Sequence, residues 1–149
     1  MVKKSKEVSD GVSFQSKVVE HLRKICPYTV FEEFKDIYAP IDVKVIGCGR
    51  NYGKEALLEI KGRRISYDKY DDVMLPSEKL DYVNTQPIRA FMLTIYIDGA
   101  CLINLKSDAI KQVKPVDRYD KKERNDRDNR SHIFYYKTDR LNWSGPVLK

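Results

Sequence analysis

Two apolar segments joined by a tight turn constrain this chain more than any other feature of its sequence. Residues 90–97 (AFMLTIYI) are strongly apolar and predict a β-strand. Asp98 and Gly99 follow as a two-residue turn of the type that needs positive φ, and residues 100–105 (ACLINL) return as the partner strand. The sequence therefore predicts a β-hairpin as part of a larger sheet.

Helical and strand-like patterns precede this hairpin. Phe14, Val18 and Leu22 recur at helical spacing and predict a first helix, which ends before Pro27. Three strands are predicted next, over residues 28–34, 41–46 and 55–61. The second and third can pair across a glycine-bearing loop, and a second helix, capped by the Ser77 hydroxyl, follows them. The order helix, three strands, helix, two strands predicts an α/β or α+β fold with a mixed sheet.

The 149 residues correspond to about one domain. Residues 1–11 are rich in Lys, Ser and acidic side chains and are predicted to be a flexible N-terminus, before a core domain over residues 12–113. Residues 62–76 show no clear period and are predicted to be a loop. Residues 114–131 hold seven Lys or Arg and five Asp or Glu, which predicts a charged linker or disordered loop. Residues 132–149 form a C-terminal extension that begins strand-like.

Charge and cysteine content narrow the class of protein. Twenty-eight Lys and Arg against 22 Asp and Glu leave a net charge of +6, which suits a polyanionic partner. No apolar run approaches the roughly 20 residues of a membrane span, and the N-terminus lacks the apolar segment of a signal peptide. Cys26, Cys48 and Cys101 are odd in number and scattered, and His21 and His132 are expected at the surface. We therefore expect a reduced, cytoplasmic protein with no membrane partner and no Cys/His zinc site.

Two carboxylates and a lysine form the constellation that can carry chemistry. Side chains alternate along a strand, so Glu59 and Lys61 share one face and lie about 6–7 Å apart. Asp42 lies opposite the apolar face of its own strand, and pairing of the two strands brings it beside Glu59. Two such carboxylates repel each other unless a hard cation binds them, and the lysine can orient a water or stabilise charge on phosphorus. The alternative for Glu-x-Lys taken alone is a solvated strand face.

These residues resemble a known signature. Pro40-Ile41-Asp42, 16 intervening residues and Glu59-Ile60-Lys61 resemble the PD-(D/E)XK motif of restriction-endonuclease-like nucleases. The predicted order of elements is also similar to the αβββαβ core of that family, with a central mixed sheet flanked by helices. The resemblance covers roughly residues 12–105, within the nuclease core domain predicted over residues 12–113, and is closest to the Holliday-junction resolvases. It implies Mg²⁺, with Mn²⁺ able to substitute, bound by Asp42, Glu59 and the Ile60 carbonyl while Lys61 positions the water.

Some residues extend the resemblance and others depart from it. Lys79 resembles a helix-two residue that faces the site in this family. Gln15 stands where the resolvases usually carry a glutamate in helix one, and it is the other residue expected to face the site. Pro40 precedes Asp42 by two residues rather than one. Three basic residues after the catalytic strand are predicted to contact nucleic-acid phosphates: Arg63, Arg64 and Lys69.

The resemblance implies a metal-dependent DNA endonuclease that leaves a 5′-phosphate and a 3′-hydroxyl. Its expected substrate is branched or duplex DNA, as for a Holliday-junction resolvase or another structure-selective nuclease in recombination, repair or phage DNA processing. A homodimer is expected, because a four-way junction needs paired cuts. Two alternatives stay open: a catalytically inactive nucleic-acid-binding module of the same fold, and an interaction protein whose C-terminal strand swaps onto a partner. The intact Asp42, Glu59 and Lys61 favour the nuclease, and Gln15 favours the inactive module.

Overall fold

The computed structural model describes residues 2–34, 41–47, 54–106, 110–115, 131–137 and 140–148. Two α-helices lie in these ranges, α1 (Val2–Ile25) and α2 (Ser77–Thr85). Before the second helix come β1 (Val30–Glu33), β2 (Val43–Ile46), β3 (Glu55–Gly62) and β4 (Asp72–Pro76), with a 3-10 turn over Tyr67–Lys69. After it come β5 (Arg89–Tyr96), β6 (Gly99–Asn104), β7 (Ile110–Pro115) and β8 (Ser131–Tyr136).

Five strands form the larger sheet, in the order β1-β2-β3-β5-β6. β1, β2 and β3 are an antiparallel meander, β3 and β5 are parallel, and β5 and β6 form an antiparallel hairpin. The parallel pair needs a crossover connection, which β4 and α2 provide. The predicted mixed sheet is therefore confirmed, as is the pairing of the second and third strands.

The two faces of this sheet pack against different layers. Alternation along β3 directs Leu58 to the face covered by α1 and Leu57 to the face covered by α2. The core on the α1 face contains Val18, Val19, Phe31, Val43, Leu58, Leu93, Ile95 and Ala100. The core on the α2 face also includes side chains of the second sheet, and its members include Leu57, Leu75, Leu80, Val83, Met92, Ile103 and Tyr135.

The second sheet has three antiparallel strands in the order β4-β8-β7. The prediction of a loop over residues 62–76 is therefore wrong at its end, where β4 lies. β4 has five residues and pairs with a strand far along the chain, so no local period reveals it. β7 was not predicted either, and residues 116–130 of the predicted charged linker lie outside the described residues. His132, expected at the surface, is buried because β8 is the middle strand of this sheet.

Both helices start differently from their sequence predictions. α1 begins at Val2, inside the segment 1–11 predicted to be a flexible N-terminus. Lys and Glu in this segment have favourable helix propensity, but the segment carries no apolar stripe from which a helix could be predicted. Ser77 does not cap α2: it is the first helical residue, and Pro76 holds the cap position without a side-chain hydrogen bond. β4 runs directly into α2, so no loop residue is left to act as a cap.

The β5–β6 turn lies one residue earlier than predicted. Tyr96 pairs with Gly99, which makes Ile97 and Asp98 the turn residues. The Asp98 carboxylate accepts a hydrogen bond from the Tyr67 amide at 2.8 Å and lies 3.5 Å from the Arg140 guanidinium. A Cβ at position 99 would lie 2.7 Å from Nε of Arg140, so a larger residue there would displace the flexible Arg140 side chain. Within the described part of the chain, neither helix is long and apolar enough to cross a membrane.

Candidate functional site

Asp42 and Glu59 meet on the α2 face of the larger sheet. Asp42 immediately precedes β2, and the register that places Val43 opposite Leu58 brings it beside Glu59. Its Oδ2 atom accepts a hydrogen bond from the Ile60 amide at 2.8 Å. The expected contribution of Ile60 was its carbonyl, whereas the group that contacts Asp42 is its N–H. The hairpin thus fixes the spacing of the two carboxylates through the backbone.

Glu59 is a buried carboxylate with only one of its oxygens engaged. Its exposure is 5%, and Oε2 accepts a hydrogen bond from the Lys79 ammonium of α2. Oε1 is buried and has no hydrogen-bond partner among the described residues. Leaving a buried charged oxygen unpaired costs about 1–3 kcal/mol or more. A cation, a hydrogen-bond donor, or a proton shared with the neighbouring Asp42 carboxylate would remove that cost.

The electrostatics of this pair follow from its burial. Burial raises the pKa of Glu59, the neighbouring Asp42 carboxylate raises it as well, and Lys79 lowers it; the net effect of all three is a pKa of about 7 against the ordinary 4.5. Near neutral pH the proton and a cation therefore compete for the same carboxylate. Lys79, with 28% of its side chain exposed, already supplies one positive charge at Oε2.

Lys61 lies on the same α2 face as Glu59, and β4 of the second sheet holds its ammonium. Its ammonium donates a hydrogen bond to the Met74 carbonyl of β4 at 3.1 Å. Thr94 lies opposite Lys61 in the β3–β5 register and is fully buried, and its Oγ1 has no hydrogen-bond partner within the described ranges. Lys61, Arg63 and Thr94 line a polar cavity of about 10 Å³, enough for roughly one water. Sequence reasoning missed Thr94, because a threonine inside an apolar strand is typical of packing.

Gln15 is not brought to the carboxylate pair. Its Nε2 donates a hydrogen bond to Oε1 of Glu33 at 3.2 Å, and the Ser16 hydroxyl donates to the same oxygen at 3.0 Å. Glu33 shares its face of β1 with buried Phe31, which packs against α1. Gln15 therefore lies on the α1 face, while Glu59 lies on the α2 face.

The three predicted phosphate-contacting residues follow the end of β3. Arg63 is half-buried and its amide bonds to the Ile95 carbonyl, whereas Arg64 and Lys69 are exposed. The Lys69 ammonium lies 5.8 Å from the centre of the Tyr70 ring. This arrangement leaves two cationic side chains facing solvent beyond the strand that carries Glu59 and Lys61.

The donor set is small but suits a hard cation. Among the described residues no group of three or more His, Cys, Asp or Glu side chains is placed to hold a metal. Mg²⁺, however, commonly uses only one or two carboxylates and keeps waters in its other positions. Asp42 and the unpaired Oε1 of Glu59 meet that requirement. The residues present therefore fit Mg²⁺ or Mn²⁺ bound mainly through water and substrate oxygens.

Comparisons with known proteins returned no relatives. No family model matches the chain, and no match was found among curated proteins or solved structures. The functional assignment therefore rests on the geometry and chemistry of the residues themselves.

Proposed function

We propose that this protein is a Mg²⁺-dependent endodeoxyribonuclease with a restriction-endonuclease-like core. The observation that carries the proposal is the buried Glu59 beside Asp42, with Oε1 lacking a hydrogen-bond partner in the described part of the chain. A solvated strand face, the alternative interpretation, does not explain a carboxylate that is 5% exposed. Asp42 and Glu59 would bind the metal, and Mn²⁺ would substitute for Mg²⁺.

The arrangement of elements supports the same core. Apart from β4, which lies between β3 and α2, the order is a helix, an antiparallel three-stranded meander, a second helix and a strand parallel to the third, as in the αβββαβ order. In this interpretation β4, β7 and β8 are additions that cover the α2 face. Their position explains why the Lys61 ammonium reaches a β4 carbonyl.

Each residue would have a distinct task in hydrolysis. A bound Mg²⁺ polarises a phosphoryl oxygen and makes water a better nucleophile. Asp42 and ionised Glu59 hold the position where that cation is needed. Lys61 must exchange its hydrogen bond to Met74 for one to a water or phosphate oxygen, where its charge opposes the negative charge that develops on phosphorus. Lys79 keeps Glu59 partly ionised at neutral pH by lowering its pKa.

DNA is the proposed substrate because the molecule is cationic beyond the site. The net charge is +6, and exposed Arg64 and Lys69 lie after β3, where they can contact phosphates that flank a scissile bond. We infer that branched or duplex DNA is cleaved, as by a Holliday-junction resolvase or another structure-selective nuclease, and that a homodimer makes the paired cuts.

A cleavage assay tests the proposal directly. Purified protein is incubated with four-way, flap, single-stranded and linear duplex DNA in Mg²⁺, Mn²⁺ or EDTA. Glu59→Gln removes the buried charge, and Glu55→Gln is its control, since Glu55 lies on the same strand but pairs with Lys44 at the surface. We expect metal-dependent cleavage by the wild type and by Glu55→Gln, and none by Glu59→Gln. Equal cleavage by all three proteins would refute the site.

A catalytically inactive nucleic-acid-binding module is the second candidate, and one contact favours it. The Lys79 ammonium pairs with Glu59 and supplies the positive charge that a metal would otherwise supply. Calorimetric titration with Mn²⁺ at about pH 8, where Glu59 is mostly ionised, separates the two. A nuclease binds Mn²⁺, and more tightly after Lys79→Gln removes the competing charge. An inactive module binds DNA with no saturable Mn²⁺ binding in either protein.

A further inference from the structure

An apolar groove lies on the α1 face of the sheet, on the side away from Glu59. Its cavity volume is about 510 Å³, within the range of roughly 300–1,000 Å³ that is usual for small-molecule sites. Its floor is formed by alternate side chains of the central strands, among them Leu58, Phe91 and Leu93. Leu22 and Ile25, at the end of α1, and Trp143 also line it.

The groove leaves apolar side chains open to solvent. Three of its lining residues are large and apolar yet substantially exposed: Ile25 at 56%, Leu141 at 41% and Leu102 at 40%. Leu102 lies opposite Leu93 in the β5–β6 register, so its exposed side chain continues the buried floor. A contiguous exposed apolar surface of this kind is typical of a binding site rather than of ordinary domain packing.

Two cations lie at one end of the groove. Arg89 lies opposite Ala56 in the β3–β5 register, and Lys54 precedes Ala56 by two residues, so the pleat directs both cations to the α1 face. The Arg89 guanidinium lies 5.7 Å from the centre of the Phe91 ring, over the groove floor. No Asp or Glu is among the described residues that line the groove. The lining is therefore apolar along its length and positive at one end.

We propose that this groove binds a single-headed anionic amphiphile, such as a long-chain carboxylate. Its apolar body would lie on Phe91, Leu93 and Leu102, and its head would pair with Lys54 and Arg89. An extended peptide suits the groove less well, because the floor is a sheet face of apolar side chains that offers a peptide backbone few hydrogen-bond partners. The proposal is independent of the proposed nuclease activity, since the two sites lie on opposite faces.

Tryptophan fluorescence gives a direct readout, because Trp143 is the only tryptophan and lines the groove. The full chain is titrated with decanoate below its micellar concentration, with decanol as a probe that has the same body without the charge, and with butyrate as a probe that has the charge without the body. We expect a saturable change with decanoate, with at least tenfold weaker binding of decanol and no response to butyrate.

Charge variants then test whether the groove recognises the carboxylate head of decanoate or only takes up its apolar chain. Lys54→Gln combined with Arg89→Gln should weaken decanoate binding about tenfold and leave decanol unchanged. Lys17→Gln, an exposed cation on α1 that does not line the groove, is the control and should change neither. Leu102→Glu places a carboxylate in the groove and should abolish decanoate binding.

Three results of the binding titrations would overturn the proposal. These are no saturable response to decanoate, equal affinity for decanoate and decanol, or a double variant that binds decanoate like the wild type. A second copy of this chain as the occupant is tested by sedimentation with and without decanoate. A dimer that Leu102→Glu dissociates and decanoate does not would assign the groove to self-association instead.

Discussion

The two faces of the five-stranded sheet depart from ordinary packing in opposite ways. On the α2 face the sheet buries Glu59 with one oxygen unpaired and Thr94 with a hydroxyl that has no partner in the described ranges. On the α1 face it leaves Leu102 and Ile25 exposed beside a positively charged end. A buried charge and an exposed apolar patch both cost free energy, so each indicates a surface shaped for something other than folding.

The strand pleat is what places these two surfaces back to back. Successive residues of β3 point to opposite faces, so Leu57, Glu59 and Lys61 meet α2 and the second sheet, while Ala56 and Leu58 meet the α1 face. A one-residue slip of register would exchange the two faces, and the β2–β3 hairpin prevents it. The two surfaces therefore depend on the same pairing and can be perturbed separately by side-chain substitution.

The largest expected effect tests whether the α2 face carries chemistry. Under the proposed function, Asp42→Asn abolishes detectable cleavage, because the carboxylate that holds the cation becomes a neutral amide. Lys61→Ala lowers turnover about 100-fold, since charge stabilisation on phosphorus is lost while both carboxylates stay. Mn²⁺ calorimetry should show binding lost in Asp42→Asn and kept in Lys61→Ala. Lys44→Ala, on the same face of β2 as Asp42 but paired with Glu55 at the surface, should cleave normally, and loss of metal binding in Lys61→Ala would contradict the assigned roles.

The next effect concerns stability and needs no substrate. The folded-state pKa of Glu59, about 7 against an ordinary 4.5, means that the folded chain holds this proton more tightly than the unfolded chain. Stability from this group is full below about pH 4.5 and is lost as the pH rises through about 7, by about 3 kcal/mol in total. Urea unfolding in EDTA should therefore show Glu59→Gln more stable than the wild type at about pH 8, by up to that amount, with the difference shrinking towards about pH 4.5. Glu55→Gln should not differ from the wild type, and a Glu59→Gln protein that is less stable at about pH 8 would show that the burial is fully compensated.

Much of the larger sheet is predictable from the sequence, but only where the pattern lies among neighbouring residues. The strand patterns predict β3, β5 and β6 to within one residue at each end, because alternation and a tight turn are properties of neighbouring residues. Strand pairing then places Asp42 beside Glu59. In the second sheet only β8 is predictable, from the strand-like start of the C-terminal extension; β4 and the pairing of the strands are not, since Pro76 lies opposite His132 and no short-range pattern joins them.

Contacts between residues that are distant in the chain leave no local pattern, and this explains which site residues the sequence misplaces or misses. The Lys61 hydrogen bond to Met74 depends on β4, a strand without a local signal. The place of Gln15 depends on which face of the sheet α1 covers, which no local pattern shows; α1 covers the face opposite Glu59, and the observed partner of Gln15 is Glu33. The groove could not be predicted, because exposure of Leu102 depends on where α1 ends over the sheet.

A smaller effect tests the charge that surrounds the α2 face. Affinity for duplex or branched DNA should fall steeply between about 50 and 200 mM salt, because phosphate contacts release counterions. Arg64→Gln should weaken binding a few-fold and lower the slope of log affinity against log salt by about 1. Lys17→Gln, an exposed cation on α1, is the control and should leave the slope unchanged. A flat salt response in the wild type would remove DNA phosphates from the proposed partners.

The smallest expected effect is on stability at the α1 face, where exposed Leu102 is compared with its buried cross-strand partner. Leu102→Gln should change the free energy of unfolding by no more than about 0.5 kcal/mol, because that side chain is 40% exposed and substitutions of exposed residues usually have small effects. Its cross-strand partner Leu93 is 4% exposed, and Leu93→Ala should cost about 2–5 kcal/mol. Urea unfolding measures both. A near-neutral Leu102→Gln would mean that folding does not require an apolar residue there, as the proposed groove requires. A cost comparable to that of Leu93→Ala would make Leu102 part of the core and would erase the difference between the two faces.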